Sequence, residues 1–471
     1  MSEKVAVKEY MQDLLRRSRV AQRKFEREYT SQRAIDEVVR AIGMAVLDHI
    51  DEISELAVSE SRMGTVAEEK MKAMSAATSN WNFLRGKTSV GEIPNIRTDE
   101  PGVRVFAKPL GVVGCILPST NPVGTVIGGA MAAIKARNSF IAAPHPMTAK
   151  TSYDMSEYIR AGLKEIGAPE DLVLCISPEM CSIEASNEMM CSADANIGVG
   201  GPGMVKAVYS CGKPGFGVGK GNCQALVDED YPDLAAACVE MVMSRTFQNG
   251  VTCTSEQTVH VPAAREEEFL KAVDAAGAYL ISDTAEIDKL RELIFPNHGP
   301  INRKIVGRPI QEIASMVDIT VPDNYKAIIL KNQVTDASDI LCDEILGPVL
   351  RYTTYEKFED AVEAAATNLE VHGGAGHSSS IWSNNAERIE QAALRIPVCR
   401  FHVNQPTRGK DNGLPVTVAI GCGAWGGNSI SENLQYYHLM DFTRVTVSVP
   451  KMHRFDPSDW DKFDICNRVD A

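Results

Sequence analysis

The chain has 471 residues, of which 44% are apolar and 23% charged, and a formal net charge of −14. That length exceeds what one hydrophobic core usually serves, so two or three domains are expected. The acidic balance argues against nucleic acid or an anionic membrane surface as a main partner, while leaving room for a local basic pocket.

The opening segment, MSEKVAVKEYMQDLLRRSRVAQRKFE, is charged and helix-like and lacks the apolar run of a signal peptide. The most apolar helix-length stretch, Val123 to Ile134, is too short to span a bilayer. Twelve cysteines are scattered without a CxxC pair or zinc-type spacing, which reads as a reduced, cytoplasmic protein. The histidines include no HExxH. His372 and His377 share the run HGGAGH, which itself carries no acidic or thiol residue, so it reads as a loop. No metal is expected.

In chain order, Glu37–Leu47 and Ala67–Phe83 carry apolar residues at helical spacing. Val103–Leu117 turns extended, rich in Val and broken by Pro and Gly. From about residue 118 to 230, strands and helices alternate. A helix opens at Asn121-Pro122 and runs to about Lys135. The strand Ser139–Ala143 follows, then a helix Ala149–Ile166 stopped by Gly167. Next come the strand Leu172–Ile176, the helix Ser182–Met190 and the strand Asn196–Val199, and another helix opens at Gly200–Val205. This alternation predicts a parallel sheet covered on both faces. A second alternating region holds the helix Ala235–Phe247, the strand Thr258–Val261 and the helix Arg265–Ala276. Beyond it lie the strand Tyr325–Leu330, the helix Lys357–Thr367 and the strand Ser380–Trp382. The tail Asp441–Pro450 alternates like a strand without a partner, which points to pairing between subunits.

Five short runs carry chemistry. In Phe247–Glu256, FQNGVTCTSE, Cys253 follows a helix end and a turn-forming Asn-Gly pair. A nucleophilic thiol needs partial exposure and a lowered pKa; the bland alternative is a small buried hydrophobe. In Pro118-Ser119-Thr120-Asn121-Pro122, the Asn121 amide and the Cys253 N–H can hold an oxyanion, although Asn-Pro is also an ordinary helix start. Gly200-Gly201-Pro202-Gly203 lies between a strand and a helix, where N–H groups can face a phosphate. Gly215 to Asn222 forms a second glycine cluster. A tight turn explains either cluster equally well. Glu344-Ile345-Leu346-Gly347-Pro348 places a carboxylate that suits a ribose or a plain surface turn.

Taken together and in this order, these runs resemble the aldehyde dehydrogenase superfamily over nearly the whole chain. The resemblance implies an α/β fold with two Rossmann-like parallel-sheet domains and an oligomerisation flap. It implies a nucleotide-binding domain at 1–229, interrupted by oligomerisation strands near 99–114. A catalytic domain at 230–438 and a terminal strand and tail at 439–471 complete it. Asn121 matches the oxyanion residue and Cys253 the nucleophile. Glu344 matches the carboxylate on the nicotinamide ribose. Thr120, Pro144, His145, Gly200, Gly201, Gly217 and Gly219 fall on the cofactor side. Hydrolytic members carry E-L-G-G-K, and the matching run here begins with Gly217. The water-activating glutamate is therefore replaced by glycine, as in the CoA-acylating branch. That branch's runs at Gly201–Asn222, Phe247–Gln257, Gly373–Ile381 and Gly421–Leu439 are also present. His377 falls at its Gly-His-Ser position, a candidate to deprotonate the CoA thiol.

The resemblance implies NAD or NADP as cofactor, CoA as co-substrate and a homodimer or homotetramer. Pro144-His145-Pro146 replaces the run that carries a ribose-binding Glu, which leaves the choice between NAD and NADP open. Within the branch the chain looks closest to enzymes acting on sulfoacetaldehyde or succinate semialdehyde. The expected order is sulfoacetaldehyde first, succinate semialdehyde next, and acetaldehyde or propionaldehyde behind. The stretch Arg400–Leu414 offers His402, Arg408 and Lys410 as partners for an anion, with Arg400 a basic position widespread in the branch.

Overall fold

The computed structural model describes residues 3–94, 102–331, 338–408, 413–417 and 419–448. Two parallel sheets carry the fold. The first has five strands, and its earliest, Val112–Ile116, lies in the middle. Ser139–Ala143 and Val173–Cys175 are added on one side of it, Ala195–Val199 and Gly215–Val218 on the other. The strand order therefore reverses at Val112–Ile116. In open parallel sheets, ligands bind in the crevice outside the carboxyl ends of the strands at such a point.

The alternation of side chains along these strands explains the two layers of helix. Val113, Cys115, Phe140 and Ala142 face the helices Gln32–Asp48, Pro122–Lys135 and Ala149–Glu165. Val112, Ile141 and Leu174 face Glu3–Glu28 and Ile183–Ser192. Both faces are dry, so the strands read as continuous apolar runs.

The second sheet has seven parallel strands. In spatial order they are Ala278–Ile281, Ala327–Lys331, Val349–Tyr355, Glu256–Pro262, Cys223–Val227, Gly376–Trp382 and Val398–Val403. The first sheet's last strand ends at Val218 and the second sheet is entered at Cys223. Ala419, Ile420, Leu434 and Leu439 return to the core of the first sheet.

Some expectations change. The terminal strand, Met440–Thr446, is not an orphan: it pairs antiparallel with Val103–Pro109 of the same chain, Met440 opposite Pro109 and Thr446 opposite Val103. HGGAGH is not a loop either. His372 ends the helix Phe358–His372 and His377 already lies in the strand Gly376–Trp382. The reversal between them is made by Gly373 and Gly374 at φ 82° and 98°, a region L side chains avoid. Gly215–Val218 is a strand rather than a turn. The strands Cys223–Val227, Val349–Tyr355 and Val398–Val403 and the helix Ala386–Arg395 are further elements the patterns did not reveal. Short apolar runs beside glycines carry too little periodicity to separate strand from loop.

The helix Pro122–Lys135 links the site to the core. It begins directly after Asn121 and ends on Lys135, whose side chain is fully buried and whose Nζ lies 2.5 Å from Asp36 Oδ1. Asp36 also accepts the Gly86 N–H at 2.8 Å. Burial lowers the Lys135 pKa and Asp36 opposes that shift. Asp36→Asn leaves a buried ammonium without its counter-charge, and a destabilisation of roughly 3 kcal/mol is expected, read from the midpoint of urea unfolding.

Candidate active site

The two sheets meet with opposite ends. Thr120, Pro144, His145, Gly200 and Gly201 follow the carboxyl ends of first-sheet strands. Cys253, Gly221 and Glu344 precede the strands Glu256–Pro262, Cys223–Val227 and Val349–Tyr355, and so lie at the amino ends of the second sheet.

Cys253 sits on a turn between the helix Leu234–Thr246 and the strand Glu256–Pro262, as its sequence context predicts. Gln248, Asn249 and Gly250 take φ values of 54°, 50° and 73° in succession. Left-handed backbone costs a non-glycine residue about 1 kcal/mol or more, so neighbours must hold it. Glu68 accepts the Gln248 N–H at 3.0 Å, and Asn249 donates to the Gly307 carbonyl at 3.0 Å. Buried Arg245 donates to the Val349 carbonyl and to Ser255 Oγ, each at 3.0 Å, and to the Ile345 carbonyl. Gly250 lies against Gly347, with room for no side chain: a Cβ there would stand 2.4 Å from the Gly347 carbonyl. That glycine contact fixes the Glu344 run against the Cys253 turn.

The thiol is half-buried. A Cβ on Gly221 would stand 2.1 Å from the Cys253 carbonyl oxygen, so the chain passes directly beneath the turn. The Gly221 N–H donates to Glu344 Oε1 at 2.8 Å. Burial pushes the Cys253 pKa up to about 12; Glu344 adds to the rise and Arg400 opposes it. This corrects the expectation of a depressed pKa: in the free protein the thiol is protonated. Burial also raises Glu344 to about 8, against the opposing Gly221 N–H and Lys220.

Asn121 precedes its helix with an uncapped side chain, and its Oδ1 is buried without a hydrogen-bond partner. The side chain lies over Gly124, where a Cβ would be 2.6 Å from Oδ1. Asn121, Arg400, His402 and Arg408 come together on the wall of one cavity of about 570 Å³, which Lys72 and Asn80 also line. No described lining residue carries a carboxylate. Arg400 donates to Ser378 Oγ at 2.6 and 2.9 Å, fixing its guanidinium across the paired strands. Arg408 stacks on Phe247, 3.7 Å from the ring centroid, and the adjacent Thr407 N–H donates to buried Glu256 at 2.7 Å. His402 differs from expectation: burial and Arg400 lower its pKa to about 4, so it is a neutral ring rather than a cation. Lys410 lies outside the described residues.

The profile of the aldehyde dehydrogenase family matches residues 4–445. This chain belongs to that family. A succinate-semialdehyde dehydrogenase (acetylating) of Clostridium kluyveri is 40% identical over 449 residues, covering 94% of this chain and 96% of that one. A sulfoacetaldehyde dehydrogenase (acylating) of Bilophila wadsworthia is 33% identical, covering 93% and 95%. The crystal structure of an acetylating aldehyde dehydrogenase from Geobacillus thermoglucosidasius superimposes with a TM-score of 0.90 at 32% identity, over 97% of this chain and 100% of that one. A Rhodopseudomonas palustris propionaldehyde dehydrogenase, solved with bound CoA and an acylated cysteine, gives 0.83 at 25% identity, over 93% and 97%. The protein is an oxidoreductase of the aldehyde dehydrogenase family.

Against the hydrolytic members' E-L-G-G-K, the geometry at Gly217 is specific. A Cβ there would meet the Tyr209 ring at 2.9 Å and Val205 at 3.0 Å. The Tyr209 hydroxyl accepts the Gly217 N–H at 2.9 Å and the Ser429 N–H at 3.1 Å, so the ring is held in that space. His377 is fully buried, with Nε2 unpartnered and Nδ1 3.9 Å from Cys223 Sγ. Burial, Arg400 and His402 lower its pKa to about 3, so the ring is neutral. Burial and Arg303 likewise lower the His145 pKa, and its Nδ1 accepts the Met147 N–H at 3.1 Å. A separate cavity of about 460 Å³ adjoins Gly219, Lys220 and Trp425.

Sequence patterns missed Lys72, Gly124 and the Glu68–Gln248 tie. Only the helical spacing of 68, 72, 76 and 80 carried a signal, and it looked like an ordinary amphipathic face.

The pH dependence of alkylation tests the electrostatics. Cys253 alkylation by iodoacetamide in the free enzyme should climb with pH well past 9. Glu344→Gln removes a negative neighbour, which lowers the thiol pKa and speeds alkylation. Glu344 is itself protonated below about pH 8, so the two curves should part only above that value.

Proposed function

We propose that the protein is a CoA-acylating, nicotinamide-dependent aldehyde dehydrogenase acting on a small aldehyde with an anionic far end. One observation carries the acylating reading: the space above Gly217, where hydrolytic relatives place their water-activating glutamate, is filled by Tyr209. Without that base a Cys thioester hydrolyses slowly, whereas a thiol nucleophile still releases it. The acylating relatives and the CoA-bound propionaldehyde dehydrogenase support the same reading.

The cofactor residues fit a dinucleotide. Gly201 and Gly203 face open space at the amino end of the helix Pro202–Ser210, beside the point where strand order reverses. Thr120, Pro144, His145, Gly200, Gly201, Gly217 and Gly219 would hold NAD or NADP, with Glu344 at the nicotinamide ribose. When bound, the nicotinamide supplies the hydride acceptor. The pair Pro144-His145 offers neither a carboxylate nor a fixed charge, so both cofactors are equal arms of the assay.

Cys253, once deprotonated, attacks the aldehyde carbon. The Asn121 amide and the Cys253 N–H hold the resulting oxyanion. After hydride loss, the CoA sulfur attacks the acyl carbon, its bond to Cys253 breaks, and the cysteine departs as thiolate. His377 offers a free ring nitrogen near the Cys253 turn for the CoA proton, provided CoA binding opens that buried ring to the cleft.

The cationic lining of the cavity, with no carboxylate among its described residues, supports an anionic substrate. The 40% identical succinate-semialdehyde dehydrogenase supports succinate semialdehyde as the first substrate to assay, with sulfoacetaldehyde beside it. The outer edge of the strand Met440–Thr446 has no partner among the described residues. A homodimer or homotetramer built on that edge belongs to this reading.

Reduced-cofactor formation at 340 nm, with each aldehyde and with or without CoA, tests the proposal. Strict CoA dependence with preference for succinate semialdehyde is expected; CoA-independent turnover would overturn it. Gly124→Ala should displace Asn121 and lower kcat by roughly a hundredfold, the scale of one lost oxyanion donor, with little change in folding measured by circular dichroism.

A further inference from the structure

The helix Val66–Leu84 is locked against the nucleophile turn at its first turn. Glu68 accepts the Gln248 N–H at 3.0 Å, and Gln248 Nε2 donates to the Thr65 carbonyl at 3.4 Å. Residues three, four, seven and eight apart share a helix face. Fixing Glu68 towards the Cys253 turn therefore turns Lys72, Ala76 and Asn80 towards the same cleft, and all three line the 570 Å³ cavity that Asn121 enters from the opposite helix.

Lys72 is the only cation this helix gives to the described cavity wall. Its side chain is 18% exposed, and its Nζ lies 2.6 Å from Glu69 Oε2. Glu69 is 5% exposed on its side chain, does not line the cavity, and keeps Oε1 buried without a hydrogen-bond partner. The carboxylate thus stands behind the ammonium. An ammonium carries three donors and Glu69 occupies one, which leaves donors for the cavity. Long lysine side chains normally lose much rotamer freedom when they grip a ligand. Here Glu69 has already restricted that freedom.

The other basic groups are less suited to a distant anion. Arg400 is tied to Ser378 and lowers the proton affinity of Cys253, which places it at the reacting end. His402 is neutral. Arg408 stacks on Phe247, the residue that follows the nucleophile's helix.

We propose that Lys72, held by Glu69, is a specificity-determining residue that binds the remote carboxylate or sulfonate of the aldehyde. It sets the substrate class from a helix outside both parallel sheets. The assignment rests on the anionic-aldehyde reading above.

The test compares succinate semialdehyde with butanal, a neutral aldehyde of the same chain length, in wild type, Lys72→Met and Lys72→Arg. In Lys72→Met the ratio of kcat/KM values, acid over butanal, should fall by roughly tenfold or more, the scale of one charge-assisted hydrogen bond. The change should lie in KM rather than kcat, since the anion is gripped equally before and during reaction. Lys72→Arg should recover part of the ratio, which a purely structural role would not produce. A wild-type preference for the acid that persists in Lys72→Met overturns the role of Lys72 and leaves the anionic-aldehyde reading standing. A wild-type preference for butanal overturns both. Equal loss on both aldehydes in Lys72→Met, with no recovery in Lys72→Arg, assigns the residue to packing and overturns the proposal.

Discussion

Beneath the Cys253 turn, the backbone at Gly221 runs so close to the Cys253 carbonyl that no side chain fits between them. This close approach governs much of the site. It lets the second sheet begin at Cys223 directly under the nucleophile, and it brings the Gly221 N–H to the Glu344 carboxylate. The same crowding recurs where Gly250 meets Gly347 and where Gly376 meets the Cys422 carbonyl. Three runs distant in sequence converge because glycine permits them to touch. A methyl group at any of these positions would push Cys253, Glu344 or His377 out of place.

The electrostatics follow from that compression. A half-buried thiol in this setting favours its neutral form, and an adjacent carboxylate that burial has already made reluctant to ionise adds to the effect. Arg400 is the counterweight, held by Ser378 rather than free to chase a ligand. In the free protein the Cys253 thiol is therefore protonated. Such a form resists stray alkylation and oxidation, since the thiolate is the reactive species.

Much of this architecture was legible in the chain. The elements from Pro122 to Ser210 stand where periodicity, glycine stops and Asn-Pro or Gly-Pro starts put them, because each is a regular element buried on a predictable face. Cys253 and Asn121 stand where their context puts them, on a turn after a helix and at a helix start after a strand, while their roles come only from the family resemblance. Other features resist reading. The strand at Cys223–Val227 hides behind glycines, and the pairing of Met440–Thr446 with Val103–Pro109 spans most of the chain. Lys72 sits in an ordinary amphipathic pattern, and only the three-dimensional tie between Glu68 and Gln248 says which way that helix faces. Nor can composition show that His402 is neutral, since its charge depends on enclosure and on Arg400.

Tyr209 has a consequence for which acceptor can take the acyl group. Its ring fills the space over Gly217, and its hydroxyl accepts from the Gly217 and Ser429 amides. Introducing a carboxylate at 217 alone drives it into the ring; trimming Tyr209 alone strips two N–H groups of their acceptor. Water as the acyl acceptor thus requires substitutions at both positions, since either one alone leaves a clash or two unpaired N–H groups. On the acylating reading, packing of one aromatic ring, rather than a charged group, keeps the site suited to a thiol acceptor.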